Sequence, residues 1–263
     1  MNPGARDPAV IETHGLAKSY GTFGALLGLN LSMPAGSVFA LVGASGAGKT
    51  TTIKILLNMT APSRGTARVL GVDTRLIGPQ VLTQVGYVSE SQALPVRLRV
   101  GQFFDYLRPC YPTWDARLEQ QLRSQLRLPP DRRIGDLSHG MRLKLALACA
   151  LAFRPRLLVL DEPFSGLDAL TRDEMIGEFL REPRKMSILI SSHELDEVER
   201  LASHVAFLDE GRLLFQGTLP ELRDHAREVL STSGHAPVGA HEGEHASLRT
   251  IFVSMVGAAR STR

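Results

Sequence analysis

Short runs of apolar residues alternate along the chain with stretches whose apolar positions recur at helical spacing. Residues 37–43 (SVFALVG), 156–163 (RLLVLDEP) and 186–192 (MSILISS) are nearly continuous apolar runs. Runs of this length predict strands that are buried on both faces. Residues 44–59, which follow the first run, turn at glycines and then become helical. Strands that alternate with helices predict an α/β fold with a largely parallel core sheet.

Three other parts of the chain carry different patterns. Residues 10–36 hold short apolar runs broken by glycines, which predict strands and turns. Charged and apolar residues recur at helical spacing from about residue 96 to 153, so this part is predicted to be a mostly helical subdomain inserted between strands. Residues 204–217 predict a hairpin that turns at Glu210–Gly211.

Residues 231–263 divide into a polar stretch and an apolar one. Residues 231–245 (STSGHAPVGAHEGEH) are small, polar and aperiodic, which predicts a linker, and residues 247–257 predict a short amphipathic helix that docks on the rest of the chain. Histidines and glutamates are frequent in the linker, namely His235, His241, Glu242, Glu244 and His245. A metal site is conceivable there, but the spacing matches no known ligand pattern, so a solvated linker is favoured.

Composition excludes several classes of protein. The chain has 263 residues and a formal net charge of only +3, so its charge does not indicate a protein that binds nucleic acid. Its apolar runs are shorter than the roughly 18–20 residues that cross a bilayer, and its start lacks the apolar core of a secretion signal. We therefore expect a soluble cytoplasmic protein with no membrane span of its own, in which Cys110 and Cys149 are reduced thiols.

Residues 43–50 (GASGAGKT) fit the pattern of a phosphate-binding loop, G-x-x-x-x-G-K-[ST], between a predicted strand and a predicted helix. Glycines let backbone N–H groups wrap a phosphate, and the helix N-terminus favours negative charge. Lys49 is expected to reach the terminal phosphates, and the Thr50 hydroxyl to bind Mg²⁺. A chance glycine-rich turn is disfavoured because both flanks are correct. The predicted nucleotide-binding residues of this segment are Gly43, Ala44, Ser45, Gly46, Ala47, Gly48, Lys49, Thr50 and Thr51.

Acidic and imidazole side chains follow two of the predicted strands. Asp161 and Glu162 end one buried run, where Asp161 could hold Mg²⁺ through water and Glu162 could orient or deprotonate an attacking water. A solvated acidic turn would be the favoured alternative if the phosphate loop were absent. His193 ends another run. A polar cap is its ordinary role, but beside a phosphate loop we interpret it as a contact to the terminal phosphate.

The chain resembles the nucleotide-binding subunits of ABC transporters over roughly residues 10 to 230. The resemblance rests on ordered motifs: Tyr20 as a candidate adenine-stacking aromatic, GASGAGKT, the signature-like LSHGM (137–141), LLVLDEP, SGLD with Asp168 as a candidate nucleotide contact, and His193. It implies a P-loop NTPase core with a mostly parallel sheet, an N-terminal antiparallel β part and a helical subdomain at about 95–153. The ATP-binding domain would then be residues 1–230, with a linker and short amphipathic tail at 231–263.

The resemblance also implies partners and cofactors. Family members bind ATP with Mg²⁺ in a head-to-tail dimer, homomeric or heteromeric, in which each ATP lies between the phosphate loop of one copy and the signature loop of the other. YPTWD (111–115) and LSHGM resemble an exporter branch in which the ATPase serves a separate transmembrane permease subunit. Such a protein would sit peripherally on the inner face of the membrane. The alternative is a soluble or regulatory ABC-type module that is not coupled to transport.

Two of the motifs depart from the usual family sequence. In LSHGM the expected nucleotide contacts, Ser138 and Gly140, are kept, while His139 and Met141 replace the usual residues of LSGGQ, so we interpret the loop as functional. In GYVSESQALP (86–95) the usual glutamine position falls on Glu90. We predict that Glu90 lies near the Mg²⁺ and the attacking water. If the loop is shifted by two residues, Gln92 does the usual job instead.

Tyr111 and Trp114 allow two interpretations. They could line the groove where a cytoplasmic helix of the permease docks, or they could belong to the core of the helical subdomain. The second interpretation is favoured, because large aromatic residues beside a helical pattern are most often core residues.

Overall fold

The computed structural model describes residues 9–90, 93–181, 186–233 and 247–261. The strands, in chain order, are β1 (Ala9–Tyr20), β2 (Phe23–Pro34), β3 (Val38–Val42), β4 (Arg64–Val69), β5 (Val72–Asp73), β6 (Val85–Ser89), β7 (Leu157–Asp161), β8 (Ser187–Ser192), β9 (His204–Asp209) and β10 (Arg212–Thr218). The helices are α1 (Lys49–Leu56), α2 (Pro79–Leu82), α3 (Val100–Leu107), α4 (Ala116–Gln125), α5 (His139–Leu151), α6 (Ala169–Arg181), α7 (Leu195–Leu201), α8 (Leu219–Ser233) and α9 (Leu248–Ser261).

The chain divides into two units, of which the first combines residues 1–75 with residues 191–263. Its N-terminal part is an antiparallel sheet in the order β2-β1-β4-β5. β1 lies between β2 and β4, and its residue Ile11 pairs with Met33 on β2 and with Val69 on β4. All three side chains are buried, so one face of this sheet is a hydrophobic core. The antiparallel N-terminal part expected from the sequence is confirmed.

Parallel strands of the first unit carry the phosphate loop. β3 pairs in parallel with β9, with Phe39 opposite His204, and each of its residues is buried, as the continuous apolar run predicts. β9 and β10 form the predicted hairpin around Glu210 and Gly211, whose φ angles are 46° and 74°. A left-handed backbone at two successive residues reverses the chain within a tight turn.

The second unit, residues 76–190, combines parallel strands with the predicted helical part. β6 pairs in parallel with β7, so that Ser89 lies opposite Asp161 at the carboxyl ends of both strands. α3, α4 and α5 enclose a core that includes Phe104, Leu122 and Leu145, and Trp114 packs against it. Tyr111 stacks on Phe153, with ring centroids 4.0 Å apart. The favoured interpretation as a core residue is confirmed for Trp114, whereas Tyr111 is half-buried and packs on Phe153.

Both cysteines are free thiols, Cys110 exposed and Cys149 buried, as the sequence predicts. Burial raises the pKa of the Cys149 thiol well above its usual range, so this thiol is a packing group. Among the described helices, none has the length and apolarity that crossing a membrane requires.

The C-terminal region corrects one prediction. α8 continues to Ser233, so residues 231–233 are helical, whereas the sequence predicts that the linker begins at 231. Serine and threonine lower helix propensity by only a few tenths of a kcal/mol, roughly, which an established helix tolerates. The rest of the predicted linker, with its histidines and glutamates, lies outside the described residues. The predicted amphipathic helix is confirmed as α9, which buries Leu248, Ile251 and Met255.

Candidate functional site

The phosphate loop connects β3 to α1, and close packing explains its first and last glycines. A Cβ atom on Gly43 would lie 2.5 Å from the Leu208 carbonyl oxygen. A Cβ atom on Gly48 would lie 2.8 Å from the Ala25 carbonyl oxygen, and Gly48 has a φ of 107°. Larger residues would therefore displace the loop from the strands behind it. Ala44, Ser45 and Gly46 are exposed, so this stretch of backbone is open to a ligand.

Lys49 lies at the start of α1 with its side chain turned into the loop. The residue is buried, and its Nζ donates hydrogen bonds to the carbonyl oxygens of Gly43 (2.6 Å) and Ala44 (3.2 Å). These two hydrogen bonds hold the ammonium inside the loop, at the N-terminal end of α1. Thr50, next in the chain, is exposed, and Thr51 is half-buried. The loop thus combines a fixed cation with the positive end of a helix dipole, which suits a phosphate group.

Tyr20, at the end of β1, is 49% exposed, and the Nζ of Lys18 lies 5.1 Å from its ring centroid. The same Nζ donates a hydrogen bond of 2.7 Å to the Ala61 carbonyl oxygen, which fixes it. A cation over the face of an exposed tyrosine ring is a favourable contact of about 0.5–1 kcal/mol. The arrangement suits the predicted stacking of an adenine on Tyr20, which stays a prediction.

His193 is the last of the predicted site residues in the first unit. It follows β8 directly, its side chain is 49% exposed, and its Nε2 lies 3.7 Å from Oε1 of Glu194. An exposed imidazole at a strand end is accessible to a ligand, so its predicted phosphate contact stays open to test.

The acidic residues of the second unit lie where β6 and β7 end. Asp161 is buried, and its carbonyl oxygen accepts a hydrogen bond of 3.1 Å from the Glu90 N–H. Glu90 and Asp161 are therefore backbone neighbours, as expected for the carboxyl ends of adjacent parallel strands. Tyr87 lies on β6, the strand that Glu90 follows. Burial, together with the charge of Asp161, raises the pKa of Tyr87. Gln92, the alternative to Glu90, lies outside the described residues.

Glu162 has a φ of 52°, in the left-handed region that glutamate seldom adopts. Such a conformation costs about 1–3 kcal/mol and persists only where the surroundings hold it. The carbonyl oxygen of Glu162 accepts a hydrogen bond of 3.2 Å from the Ser165 N–H, which closes the turn after β7. The left-handed residue thus ends the extended backbone of β7 directly after Asp161.

The signature-like loop begins α5. Ser138 is the N-cap, and its Oγ accepts a hydrogen bond of 3.3 Å from the Met141 N–H. A Cβ atom on Gly140 would lie 2.8 Å from Cγ2 of Thr171. Thr171 is held by Asp168, whose carboxylate accepts hydrogen bonds from its N–H (2.9 Å) and its hydroxyl (2.7 Å). Asp168 therefore caps α6, and the predicted nucleotide contact of Asp168 would be in addition to that role.

The loop after β7 also lies close to His139 and Glu90, two of the residues that depart from the family motifs. The Nε2 atom of His139 lies 3.1 Å from the Ser165 carbonyl oxygen. A Cβ atom on Gly166 would lie 3.7 Å from Nε2 of His139 and 3.9 Å from Oε1 of Glu90. Sequence reasoning missed Ser165, Gly166 and Thr171 as neighbours of the signature loop. Only the small residues of SGLD could have hinted at this packing.

Comparison with known proteins gives a consistent result. The family model described as "ABC transporter" matches residues 26–165. The chain is 30% identical over 217 residues to the ABC transporter ATP-binding protein YtrB of Bacillus subtilis, covering 82% of this chain and 74% of that protein. It is 35% identical to the Nod factor export ATP-binding protein I of Rhizobium meliloti (82% and 66% covered) and 32% identical to the daunorubicin/doxorubicin resistance ATP-binding protein DrrA of Streptomyces peucetius (81% and 66% covered).

Solved structures give the same fold. The structure of an ATP-binding subunit of an ABC transporter is 26% identical and superposes with a TM-score of 0.77, covering 94% of this chain and 99% of that chain. An ATP-binding cassette in its ADP conformation is 22% identical with a TM-score of 0.70, covering 85% and 95%, and supports the fold alone.

Proposed function

Since the chain belongs to the ABC transporter family of ATP-binding proteins, we propose that it is the ATP-hydrolysing subunit of an exporter. It works with Mg²⁺ and drives a separate membrane permease. The observation that carries the proposal is the phosphate loop, in which the buried Lys49 ammonium donates hydrogen bonds to two loop carbonyls at the start of α1. Family members hydrolyse ATP to drive transport, and the names of several relatives refer to export, transport or drug resistance.

Each part of the phosphate loop has a distinct task. Backbone N–H groups between Gly43 and Thr51 bind the phosphate oxygens, and Lys49 exchanges its carbonyl partners for the terminal phosphates. Tyr20 stacks on the adenine. The residues proposed as Mg²⁺ ligands are Thr50, through its hydroxyl, and Asp161 and Glu90, through their carboxylates, since Mg²⁺ prefers hard oxygen donors. When bound, Mg²⁺ supplies positive charge that stabilises the transferring phosphoryl group.

Glu162 acts on the attacking water. Its carboxylate orients the water and takes its proton while the oxygen attacks the γ-phosphorus, and the bond from the γ-phosphorus to the bridging oxygen of ADP breaks. ADP and inorganic phosphate result. His193 donates a hydrogen bond to the γ-phosphate and so distinguishes ATP from ADP. Lys49 stabilises the charge on the oxygens of the transferring group.

The signature loop acts across a dimer. Two copies, identical or related, close head to tail, and the Ser138 hydroxyl and the backbone at Gly140 contact the γ-phosphate that the partner copy binds. Asp168 lies in the loop next to this contact. Closure and reopening are passed to the permease on the inner face of the membrane, where the chain is bound peripherally.

A comparison of wild type with Glu162→Gln tests the proposal, and the exposed Glu174→Gln in the second unit is the matched control. We expect hydrolysis by wild type and by Glu174→Gln, and a loss of about 10²–10⁴-fold in Glu162→Gln. Size-exclusion chromatography in ATP and Mg²⁺ should show a dimer that Glu162→Gln traps. If wild type neither binds ATP nor hydrolyses it, alone and with its co-expressed permease, the proposed function is wrong. If Glu162→Gln keeps the wild-type rate, only the role of Glu162 is wrong.

A further inference from the structure

The C-terminal helix α9 packs against the unit that carries the phosphate loop. Leu248, Ile251 and Met255 bury one side of the helix. The ring of Phe252 meets the ring of Phe207 edge to face, with centroids 5.0 Å apart. Phe207 lies on β9, two residues before the turn to β10, so the helix is anchored on the strand that leads into this turn.

Arg260, near the end of α9, forms hydrogen bonds with Asp209, the last residue of β9 before the turn. Its Nη2 and Nε atoms donate hydrogen bonds to the two carboxylate oxygens of Asp209, at 2.8 and 3.2 Å. The Asp209 side chain is only 4% exposed, so its charge is balanced mainly by protein groups. The bond raises the pKa of Arg260. A second carboxylate, that of Glu210, lies 3.7 Å from Nη2. A two-pronged guanidinium–carboxylate bond fixes position as well as charge.

The same turn supports the phosphate loop from behind. The Gly211 N–H donates a hydrogen bond of 3.1 Å to the carbonyl oxygen of Ala47, inside the loop. The Gly211 carbonyl oxygen accepts a hydrogen bond of 2.8 Å from the Leu27 N–H on β2. The Cα of Gly211 also lies 3.7 Å from where a Cβ of Gly48 would be. The turn is therefore held between β2 and the loop.

We infer that Arg260 is a positioning residue for nucleotide binding: through Asp209 and the Gly211 N–H it sets the position of the phosphate loop, so that α9 governs affinity for ATP. The readout on ATP rests on the proposed function, whereas the effect on the loop does not. Glu210 and Gly211 both adopt a left-handed backbone, a conformation that glutamate holds only when its neighbours enforce it. Without the Arg260 bond the turn relaxes, and the loop loses the support at Ala47.

The inference predicts reciprocal coupling. If α9 strengthens ATP binding through the turn, ATP must stabilise the docking of α9 by the same factor. Adding ATP and Mg²⁺ to the full chain should therefore slow amide hydrogen exchange in residues 248–256 as well as in residues 43–50.

The test uses the full chain with Arg260→Ala, Arg260→Lys and Asp209→Asn, and with Arg249→Ala as control, since Arg249 is an exposed arginine on the same helix. The first readout is hydrogen exchange of residues 43–50 without nucleotide. The second is the Kd for a fluorescent ATP analogue, with KM and kcat for ATP. In Arg260→Ala and Asp209→Asn we expect faster hydrogen exchange of residues 43–50 and a Kd raised at least about fivefold. The kcat at saturating ATP should stay within about twofold of wild type. A lysine cannot make the two-pronged bond to Asp209, so Arg260→Lys should restore the affinity and the loop protection only in part.

Two results would overturn the inference. One is loop exchange and affinity in Arg260→Ala that equal those of Arg249→Ala. The other is a lowered melting temperature with an unchanged Kd, which would make Arg260 a purely structural contact. A wild-type chain that binds no ATP would contradict the proposed function instead, and the exchange of residues 43–50 would still decide whether Arg260 positions the loop.

Discussion

The Nε2 atom of His139 donates a hydrogen bond of 3.1 Å to the carbonyl oxygen of Ser165. A carbonyl oxygen can only accept, so Nε2 carries the hydrogen in this tautomer. The bond joins the first turn of α5 to the loop that follows β7 within one chain. The histidine that departs from the usual family signature thus has a specific partner, in a loop whose glycine, Gly166, also faces Glu90.

His139→Ala should loosen the loop after β7. Loss of one neutral hydrogen bond corresponds to about 0.5–1.5 kcal/mol, so we expect hydrogen exchange at residues 164–168 to rise roughly two- to tenfold. His139→Gln, whose side-chain amide can donate to the same carbonyl, is the matched control and should retain most of the protection. Equal exchange in His139→Ala and wild type would show that the contact does not hold the loop.

Gly140→Ala should clash with Thr171. The new methyl would lie 2.8 Å from Cγ2 of Thr171, whose hydroxyl is fixed by Asp168. Overpacking of this kind costs about 1–3 kcal/mol, which should lower the melting temperature by several degrees. Thr171→Ser removes the methyl and keeps the hydroxyl, so the double variant Gly140→Ala/Thr171→Ser should recover the wild-type melting temperature.

The same pair of variants distinguishes two reasons for the glycine. If the double variant recovers both stability and ATP hydrolysis, packing against Thr171 is the reason. If it recovers stability alone, Gly140 is also needed for the approach of the partner's nucleotide. A Gly140→Ala variant as stable as wild type would contradict the predicted clash.

Lys49→Ala should abolish most of the affinity for ATP. Lys49 is held by two loop carbonyls, so it is already placed for the phosphates. Loss of charge-assisted hydrogen bonds of about 1.5–3 kcal/mol predicts a Kd raised roughly ten- to hundredfold. Lys54→Ala, on the exposed side of α1, removes the same charge without touching the loop and should bind like wild type. Similar Kd values for the two variants would rule out the predicted contact.

Glu90→Gln should weaken the dependence of ATP binding on Mg²⁺. The Glu90 N–H bonds the Asp161 carbonyl oxygen, and the proposed function places both carboxylates at the same Mg²⁺. Two like charges about 5 Å apart repel by roughly 3 kcal/mol at an effective dielectric constant of 20. The ratio of Kd values without and with Mg²⁺ should therefore fall about tenfold or more in Glu90→Gln, and remain unchanged in the exposed control Glu174→Gln. An unchanged ratio in Glu90→Gln would contradict a role of Glu90 near the Mg²⁺ and would favour Gln92 as the residue that does the job of the usual glutamine.

The sequence predicts those features that adjacent residues specify. The phosphate loop, the β9–β10 hairpin and α9 are each encoded within about 15 consecutive residues, where apolar periodicity and glycines act together. Contacts between distant segments leave no such pattern. The methyl of Thr171 against Gly140 and the bond from Arg260 to Asp209 join residues far apart in the chain, and neither pair forms a motif.

The error at residues 231–233 has a physical reason as well. Small polar residues are typical of loops, but helix propensity is a weak preference that an established helix overrides. Glu162 presents the opposite case. Its position after a buried strand is evident from the sequence, whereas its left-handed backbone is imposed by the turn it forms and cannot be inferred from residue type.

Glu119→Gln should destabilise the helical subdomain in a pH-dependent way. The Glu119 carboxylate is buried and accepts hydrogen bonds from Arg108 (2.9 Å), Trp114 (3.0 Å) and Arg123 (3.2 Å). Burial alone would raise the pKa of Glu119, but these hydrogen bonds outweigh it and hold the pKa below its usual value. A lowered folded-state pKa contributes stability that is present above the unfolded-state pKa, about 4.3, and is lost as the pH falls through the folded-state pKa.

At neutral pH we therefore expect Glu119→Gln to lose about 1.5–3 kcal/mol of unfolding free energy, since hydrogen bonds to a charged group are lost. The difference from wild type should shrink as the pH falls below about 4. Urea unfolding followed by tryptophan fluorescence measures this difference in the helical subdomain, because Trp114 is the single tryptophan of the chain and donates a hydrogen bond to Glu119. Asp105→Asn is the control: it removes an exposed partner of Arg108 and should cost less than about 1 kcal/mol. A difference that stays constant between pH 7 and pH 3 would mean that packing, and not the charge of Glu119, stabilises the subdomain.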